Sequence, residues 1–388
     1  MTSKCLACYA VFIEGFLTVT ILPHLNDQFY WLGFSLIPGI GLKRLLRLLN
    51  YFGDLQTAWA AHEVDLRHSG LEESVMAILL TTRAKISLDA EMAKIEKAGA
   101  WLLTLNDEDY PNTLKAIDDA PAVLYIRGAL TPTDDLALSV VGTRKATQYG
   151  RDVAHDLCKR LAQHGITIIS GMAQGIDSAA HLGALAGGGR TIAILGCGVD
   201  VVYPRENRDL AQKIIANGAL VSEFPIGTQP IPTNFPRRNR IVSGMALGVL
   251  VIEAPEGSGA LITAELAAEQ GREVFAVPGN ILNPMSRGAN RLIQDGAKLV
   301  MQAEDILNEL SVAYTNTQTR EKTEQIIPAN ATEAAILQVL NADPVHIDDL
   351  ARLSGLPISE LSSTLTILEL KGLAQMVGHM QYSLTFGH

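Results

Sequence analysis

A doubly wound parallel sheet in an α/β chain is what three features of this sequence predict. Between residues 136 and 300, seven apolar β-type runs alternate with helical segments, the pattern of successive strand–helix–strand units. Most of these runs end in turns rich in Gly, Ser, Thr or Arg, where strands of such a sheet hand over to helices. The chain has 388 residues, of which 48% are hydrophobic and 19% charged, enough interior for two or three domains and too apolar for a disordered segment.

The elements follow in chain order. Residues 5–22 form a mostly apolar run interrupted by Glu14, with Cys5 and Cys8 in a C-x-x-C pair. Without an Ala-x-Ala-like cleavage site or a second cysteine pair, we read 1–28 as a leader of uncertain role, neither a membrane span nor a metal or redox site. Helical spacing runs through 29–100, and its connector Ile37-Pro38-Gly39-Ile40-Gly41 resembles a helix-hairpin-helix turn. Such a turn can present backbone N–H groups to a phosphate; a helical bundle for protein contact is the alternative. Two short strands, WLLTL and AVLYIR, flank a polar turn at 106–112 and open the unit 101–310. The seven runs are LALSVVG, ITIIS, TIAILG, ALVSEF, GVLVIEA, EVFAVPG and AKLVM. Polar residues 311–330 read as a linker, and 331–388 as a winged helix: helices near 332–340, 347–354 and 358–370, then the strands QMVG and QYSL.

The net charge of −10 argues against general affinity for nucleic acid or anionic lipid, but it is unevenly spread. Residues 1–138 carry 11 Lys and Arg against 17 Asp and Glu, and residues 301–388 carry 4 against 11. Residues 139–300 carry 16 against 13, mostly arginine, whose planar fork matches phosphate. An anionic ligand is therefore expected at the sheet, with a solvated surface as the plain alternative.

Open parallel sheets bind ligands beyond the carboxyl ends of their strands. The first such turn holds Gly142, Thr143 and Arg144, and the second Ser170 and Gly171 of Ser170-Gly-Met-Ala-Gln-Gly-Ile-Asp177. The third holds Gly196-Cys-Gly198 and Tyr203-Pro-Arg205, and the fourth Asn234-Phe-Pro-Arg-Arg-Asn-Arg240. Other familiar sites fail. No G-x-G-x-x-G follows the first run, and the glycines at 183–191 lack the lysine of a phosphate-binding loop and precede a strand, so neither a dinucleotide nor another cofactor is expected. His181 lies four residues after Asp177, which suggests a base and its orienter or a helix-surface contact. Glu223, Glu253 and Glu265 are candidate acids or bases, and burial of Glu253 calls for a partner, an arginine of 237–240.

The series SVVGTRKATQYG, SGMAQGIDSAAH, AILGCGVDVVYPREN, SEFPIGTQP, NFPRRNRIVSG, EAPEGSGALITAELAAEQGREVFAVPG and SRGANRLIQDGA closely resembles the DprA (Smf) family of DNA-processing proteins, almost continuously over 139–300. The resemblance implies a Rossmann-like sheet flanked by an N-terminal helical, SAM-like domain and a C-terminal winged helix. It further implies a cytoplasmic, non-enzymatic homodimer that binds and protects single-stranded DNA during natural transformation and loads the RecA recombinase. Carried over, DNA contact falls on Gly142, Thr143, Arg144, Arg205, Phe235, Arg237, Arg238, Asn239 and Arg240, with Ser170 and Gly171 completing a phosphate cradle. A basic groove would track the backbone while Phe235 stacks on a base. The winged helix, with 2 basic against 6 acidic residues in 331–388, is expected to contact protein, not duplex DNA. The alternative is a nucleotide enzyme, since EAPEGSGALITAE faintly resembles the PGGxGTxxE loop of nucleoside-monophosphate phosphoribohydrolases, with Glu253 and Glu265 at the ribose. A nucleotide-sensing regulator signalling through the winged helix is a third reading.

Overall fold

Runs of Val, Ile, Leu and Ala without polar alternation make strands that both faces of a sheet must bury. The computed structural model describes residues 23–310 and, beyond them, 331–340, 345–370, 374–378 and 380–384. The apolar run at 5–22, its C-x-x-C pair and the expected linker at 311–330 lie outside the described residues. The chain divides into two compact units, Met1–Leu307 and Asn308–His388.

The first unit holds a nine-stranded sheet. Its strands are β1 (Trp101–Thr104), β2 (Val123–Gly128), β3 (Ala137–Val141), β4 (Thr167–Ser170), β5 (Thr191–Ile194), β6 (Gly218–Ser222), β7 (Gly248–Val251), β8 (Glu273–Ala276) and β9 (Lys298–Leu299). The spatial order is β1-β2-β6-β5-β4-β3-β7-β8-β9. All seven expected runs are present as strands β3 to β9, parallel to one another. The two strands at 101–127 are not a mere lead-in: β2 pairs antiparallel with β6, and β1 with β2, so they widen the sheet at one edge. Strands β3 to β7 are buried along their whole length.

This order fixes where a ligand can enter. The crossover after β3 leads to β4 on one side, while the helix Asn234–Gly244 after β6 returns the chain to β7 on the other. Where strand order reverses, the loops after β3 and β7 part and leave a crevice at their carboxyl ends.

The N-terminal helices belong to the same unit. The first runs Pro23–Ser35, starting before the expected boundary at 29, and Leu42–Phe52 follows the glycine turn. Their apolar face buries Trp31, Phe34, Leu45 and Leu48, with Phe34 edge-on to Trp59 at 5.1 Å. No described helix is long and apolar enough to cross a membrane.

The second unit has helices Ala331–Val339, Ile347–Ser354 and Ile358–Leu370, then β11 (Ala374–Gly378) and β12 (Gln381–Leu384) in antiparallel pairing. A two-residue strand, β10 (Val345–His346), completes its sheet by pairing with β12. Ile336, Leu350, Leu361, Leu365 and Leu368 form its core.

Candidate nucleic-acid interface

Beyond the ends of β3, β4, β5 and β7 lie two adjoining hollows of about 410 and 620 Å³, which share Arg144, Gly171, Ala173, Tyr203, Phe235 and Arg238. Arg144 is exposed on the loop after β3, and its guanidinium stands 5.2 Å from the centre of the Phe235 ring. Phe235 comes from the first turn of the Asn234–Gly244 helix and rests on Gly196, where even a methyl group would lie 2.9 Å from the ring. The Tyr203 ring lies 5.8 Å from that of Phe235, tilted by 36°, and is 42% exposed. An arginine beside two partly open aromatic rings is a platform suited to a flat π-system and a neighbouring anion.

The loop carrying Arg144 is held from below. Thr143 N–H donates to the Glu253 carbonyl at 2.7 Å. The Glu253 carboxylate accepts from Thr147 N–H at 2.9 Å and from the Thr147 hydroxyl at 2.6 Å, and Thr147 in turn caps the helix Gln148–Gln163. Glu253 thus does not pair with an arginine of 237–240 as the sequence suggests. It is 1% exposed and serves as an anchor between β7 and the loop after β3. The arginine partner belongs to Glu223, which accepts from Arg237 at 2.9 Å and from Arg240 at 2.8 Å.

The expected site residues separate accordingly. Gly142, Thr143, Arg144, Gly171, Arg205, Phe235, Arg238 and Asn239 line one or both hollows. Arg237 and Arg240 line a different one. Ser170 lines neither: its hydroxyl is fully buried and donates to the Val140 carbonyl at 2.6 Å, because it sits inside β4 with its side chain turned into the core. Arg238 is a floor rather than a fork open to solvent. It is 6% exposed, and its Nη1 donates to the carbonyls of Gly171, at 3.0 Å, and Ile194. Burial pulls the guanidinium below its ordinary pKa, opposed by the nearby Asp177, whose own carboxyl is raised by burial. Tyr203, not among the expected contact residues, also lines both hollows; its place two residues before Arg205, in the turn after β5, is the signal in the sequence that points to it.

Asp177 and His181 are not a base and its orienter at a surface. Asp177 accepts from Ala173 N–H at 3.3 Å, while His181 is 0% exposed with Nδ1 2.7 Å from the Thr191 hydroxyl. That hydroxyl donates to the Ile168 carbonyl, so Nδ1 carries the proton and Nε2, without a partner among the described residues, is bare. Burial first, then Arg238, press the His181 pKa down to about 3. The imidazole is then protonated only in the unfolded chain between about 3 and the unperturbed value of about 6.5, so stability is full above that window and falls as pH drops through it. At pH 5 the loss relative to a His181→Gln variant is expected to be about 2 kcal/mol, at about 1.4 kcal/mol per pH unit. Urea unfolding of both proteins at pH 7.5 and pH 5 checks it; parallel pH profiles would refute the assignment.

Comparison with known proteins places these features in a family. The chain matches the family described as DNA recombination-mediator protein A over residues 101–311, and the DprA winged helix domain over 320–378. It is 32% identical over 392 residues to Protein Smf of Synechocystis sp., covering 92% of this chain and 98% of that one. The X-ray structure of DNA processing protein A from Streptococcus pneumoniae superposes with a TM-score of 0.64 at 37% identity, over 73% of this chain and 97% of its own. DNA processing protein A from Helicobacter pylori, whose structure is described for its unique single-stranded DNA binding mode, has a TM-score of 0.50 at 31% identity, over 55% and 97%.

Proposed function

This chain belongs to the DprA (Smf) family of DNA-processing proteins, and from that premise we propose that it binds single-stranded DNA as a recombination mediator, handing the strand to a RecA-type recombinase. The observation that carries the reading is the Arg144–Phe235–Tyr203 platform set over two hollows at the switch point of the sheet. Every base has a π face, so stacking on Phe235 tolerates any sequence, and Arg144 and Arg205 lie within the same hollow to meet phosphates. The single-stranded DNA named for the Helicobacter pylori relative fits the same chemistry. In this reading the protein acts as a cytoplasmic homodimer without turnover, in the uptake and recombination of foreign DNA. The nucleotide-hydrolase alternative needs Glu253 at a ribose, and the engagement of both its carboxylate oxygens by Thr147 weighs against that role.

Fluorescence anisotropy with labelled oligo-dT, titrated across salt beside a duplex of equal length, tests the proposal. The wild type is expected to prefer the single strand, with a negative log–log salt slope. Phe235→Ala is expected to weaken binding by about 1–3 kcal/mol, roughly 5- to 150-fold, and Arg144→Ala to make the slope shallower by about 0.7. Failure of the wild type to bind single strands at low salt would sink the reading, and release of free base from AMP would replace it with the enzyme.

A further inference from the structure

The Asn234–Gly244 helix has a second working side. Phe235 and Asn239 serve the two hollows already described, while Arg237 and Arg240 face a third, of about 770 Å³, bounded across from them by the start of the Leu42–Phe52 helix. The spaces are neighbours, since Pro236 lines both the third hollow and the 620 Å³ one.

Three observations say what the third hollow is fit to hold. The first is its free charge. Arg44 is paired with Glu72 at 2.8 Å, Arg240 with Asp119 and Glu223, and Arg237 with Glu223. Lys43 and Arg47, both exposed on its rim, make no ion pair among the described residues, and Asp118 alone of the acids there is similarly without one. The second is the helix start itself. Its first turn has no acidic residue and no side-chain cap, yet carries Lys43 and Arg44. Cations at the positive end of a helix are unfavourable, an arrangement that an approaching anion relieves. The third is a pair of buried orphans on the opposite wall. Glu223, its side chain 5% exposed, has no partner for Oε1, and its neighbour Arg240 has none for Nη1, among the described residues. Buried polar atoms of a native protein are normally satisfied. One of these needs a donor and the other an acceptor. A free phosphate offers no N–H to Glu223, whereas an unpaired nucleobase edge offers donor and acceptor side by side.

We propose that a single strand leaving the Arg144–Phe235 platform crosses Pro236 and continues into this third hollow, its phosphates against Lys43, Arg47 and the start of the 42–52 helix, and a base edge against Glu223 and Arg240. The inference rests on the single-strand reading above and extends it: the helical segment supplies half of one continuous track. A duplex fits this chemistry less well, because the Watson–Crick edges of its bases are already paired with each other inside the helix.

Oligo-dT of two lengths separates the two halves, about 5 nucleotides to occupy the platform alone and about 20 to reach both. The Lys43→Ala/Arg47→Ala protein is expected to bind the short strand as the wild type does. On the long strand it is expected to lose about tenfold in affinity, with the salt slope shallower by about 1.4. Arg47 also donates to the Gly70 carbonyl at 2.7 Å, so Lys43→Glu, a substitution at an exposed side chain, provides the independent variant, with a larger loss on the long strand only. Long-strand affinity and slope equal to wild type in both variants would overturn the inference while leaving the platform intact, as would an equal loss on both lengths. If the wild type binds neither length at low salt, the single-strand reading itself falls, and this inference with it.

Discussion

Arg238→Leu is expected to destabilise the larger unit by about 3–5 kcal/mol, the usual cost of leaving a buried charge without its partner. The guanidinium donates to the ends of two neighbouring strands, the Gly171 carbonyl after β4 and the Ile194 carbonyl of β5, and its charge offsets the buried Asp177. Leucine fills much of the space but leaves two carbonyls unpaired and a carboxylate in the interior. Against a typical total of about 5–15 kcal/mol, that is a large share. Lysine keeps the charge but not the fork, so Arg238→Lys should recover only part of the loss. The three tryptophans, Trp31, Trp59 and Trp101, all lie in the larger unit, so their fluorescence during urea unfolding reports on it alone. A change below about 0.5 kcal/mol, within the range of ordinary surface substitutions, would return Arg238 to the role of a solvent-facing phosphate contact.

The difference between reading Arg238 as a contact and finding it as a floor shows what sequence can and cannot supply. Continuous apolar runs between glycine turns identify the strands from β3 to β9, and in β3 to β7 burial on both faces leaves its mark on each residue of the run. The segment 234–240 carries a different signal. Taken as a turn, its arginines are equivalent; taken as a helix, Asn234, Arg238, Ile241 and Val242 fall on one face at 3.6-residue spacing, and they are buried together. Arg237 and Arg240 then fall on the other side, beside Glu223. The partner of Glu253 was illegible for a separate reason. It depends on β7 lying next to β3, so that the loop bearing Thr147 comes within reach, and strand order is a long-range property. The pairing of β2 with β6 is hidden in the same way, since nothing local in AVLYIR distinguishes a lead-in from an antiparallel edge.

Gly175→Ala is expected to damage fold and binding together. Gly175 precedes the Ile176–Ala186 helix with φ +84° and ψ −124°, a conformation that residues with a side chain adopt only under strain of about 1–3 kcal/mol. A Cβ there would also stand 2.4 Å from the Thr143 carbonyl oxygen and 2.7 Å from that of Arg144. These are backbone atoms of the loop that presents Arg144, and overpacking against them adds about 1–3 kcal/mol. The loop cannot yield freely, since Thr143 N–H is tied to the Glu253 carbonyl, so the chain must either displace Arg144 from Phe235 or unwind the helix start. A total of about 2–6 kcal/mol in stability follows from the two costs. Single-strand affinity at a temperature where the variant remains folded should fall at least tenfold. Gly188 supplies the comparison, with φ +73° but nothing within 4 Å of an added Cβ. Gly188→Ala carries only the left-handed backbone cost of about 1–2 kcal/mol and should bind oligo-dT as the wild type does. Equal stability losses in the two variants would mean that backbone conformation alone, and not the close approach of Gly175 to the Arg144 loop, demands glycine there. Equal single-strand affinities would mean that the position of Arg144 over Phe235 does not govern binding.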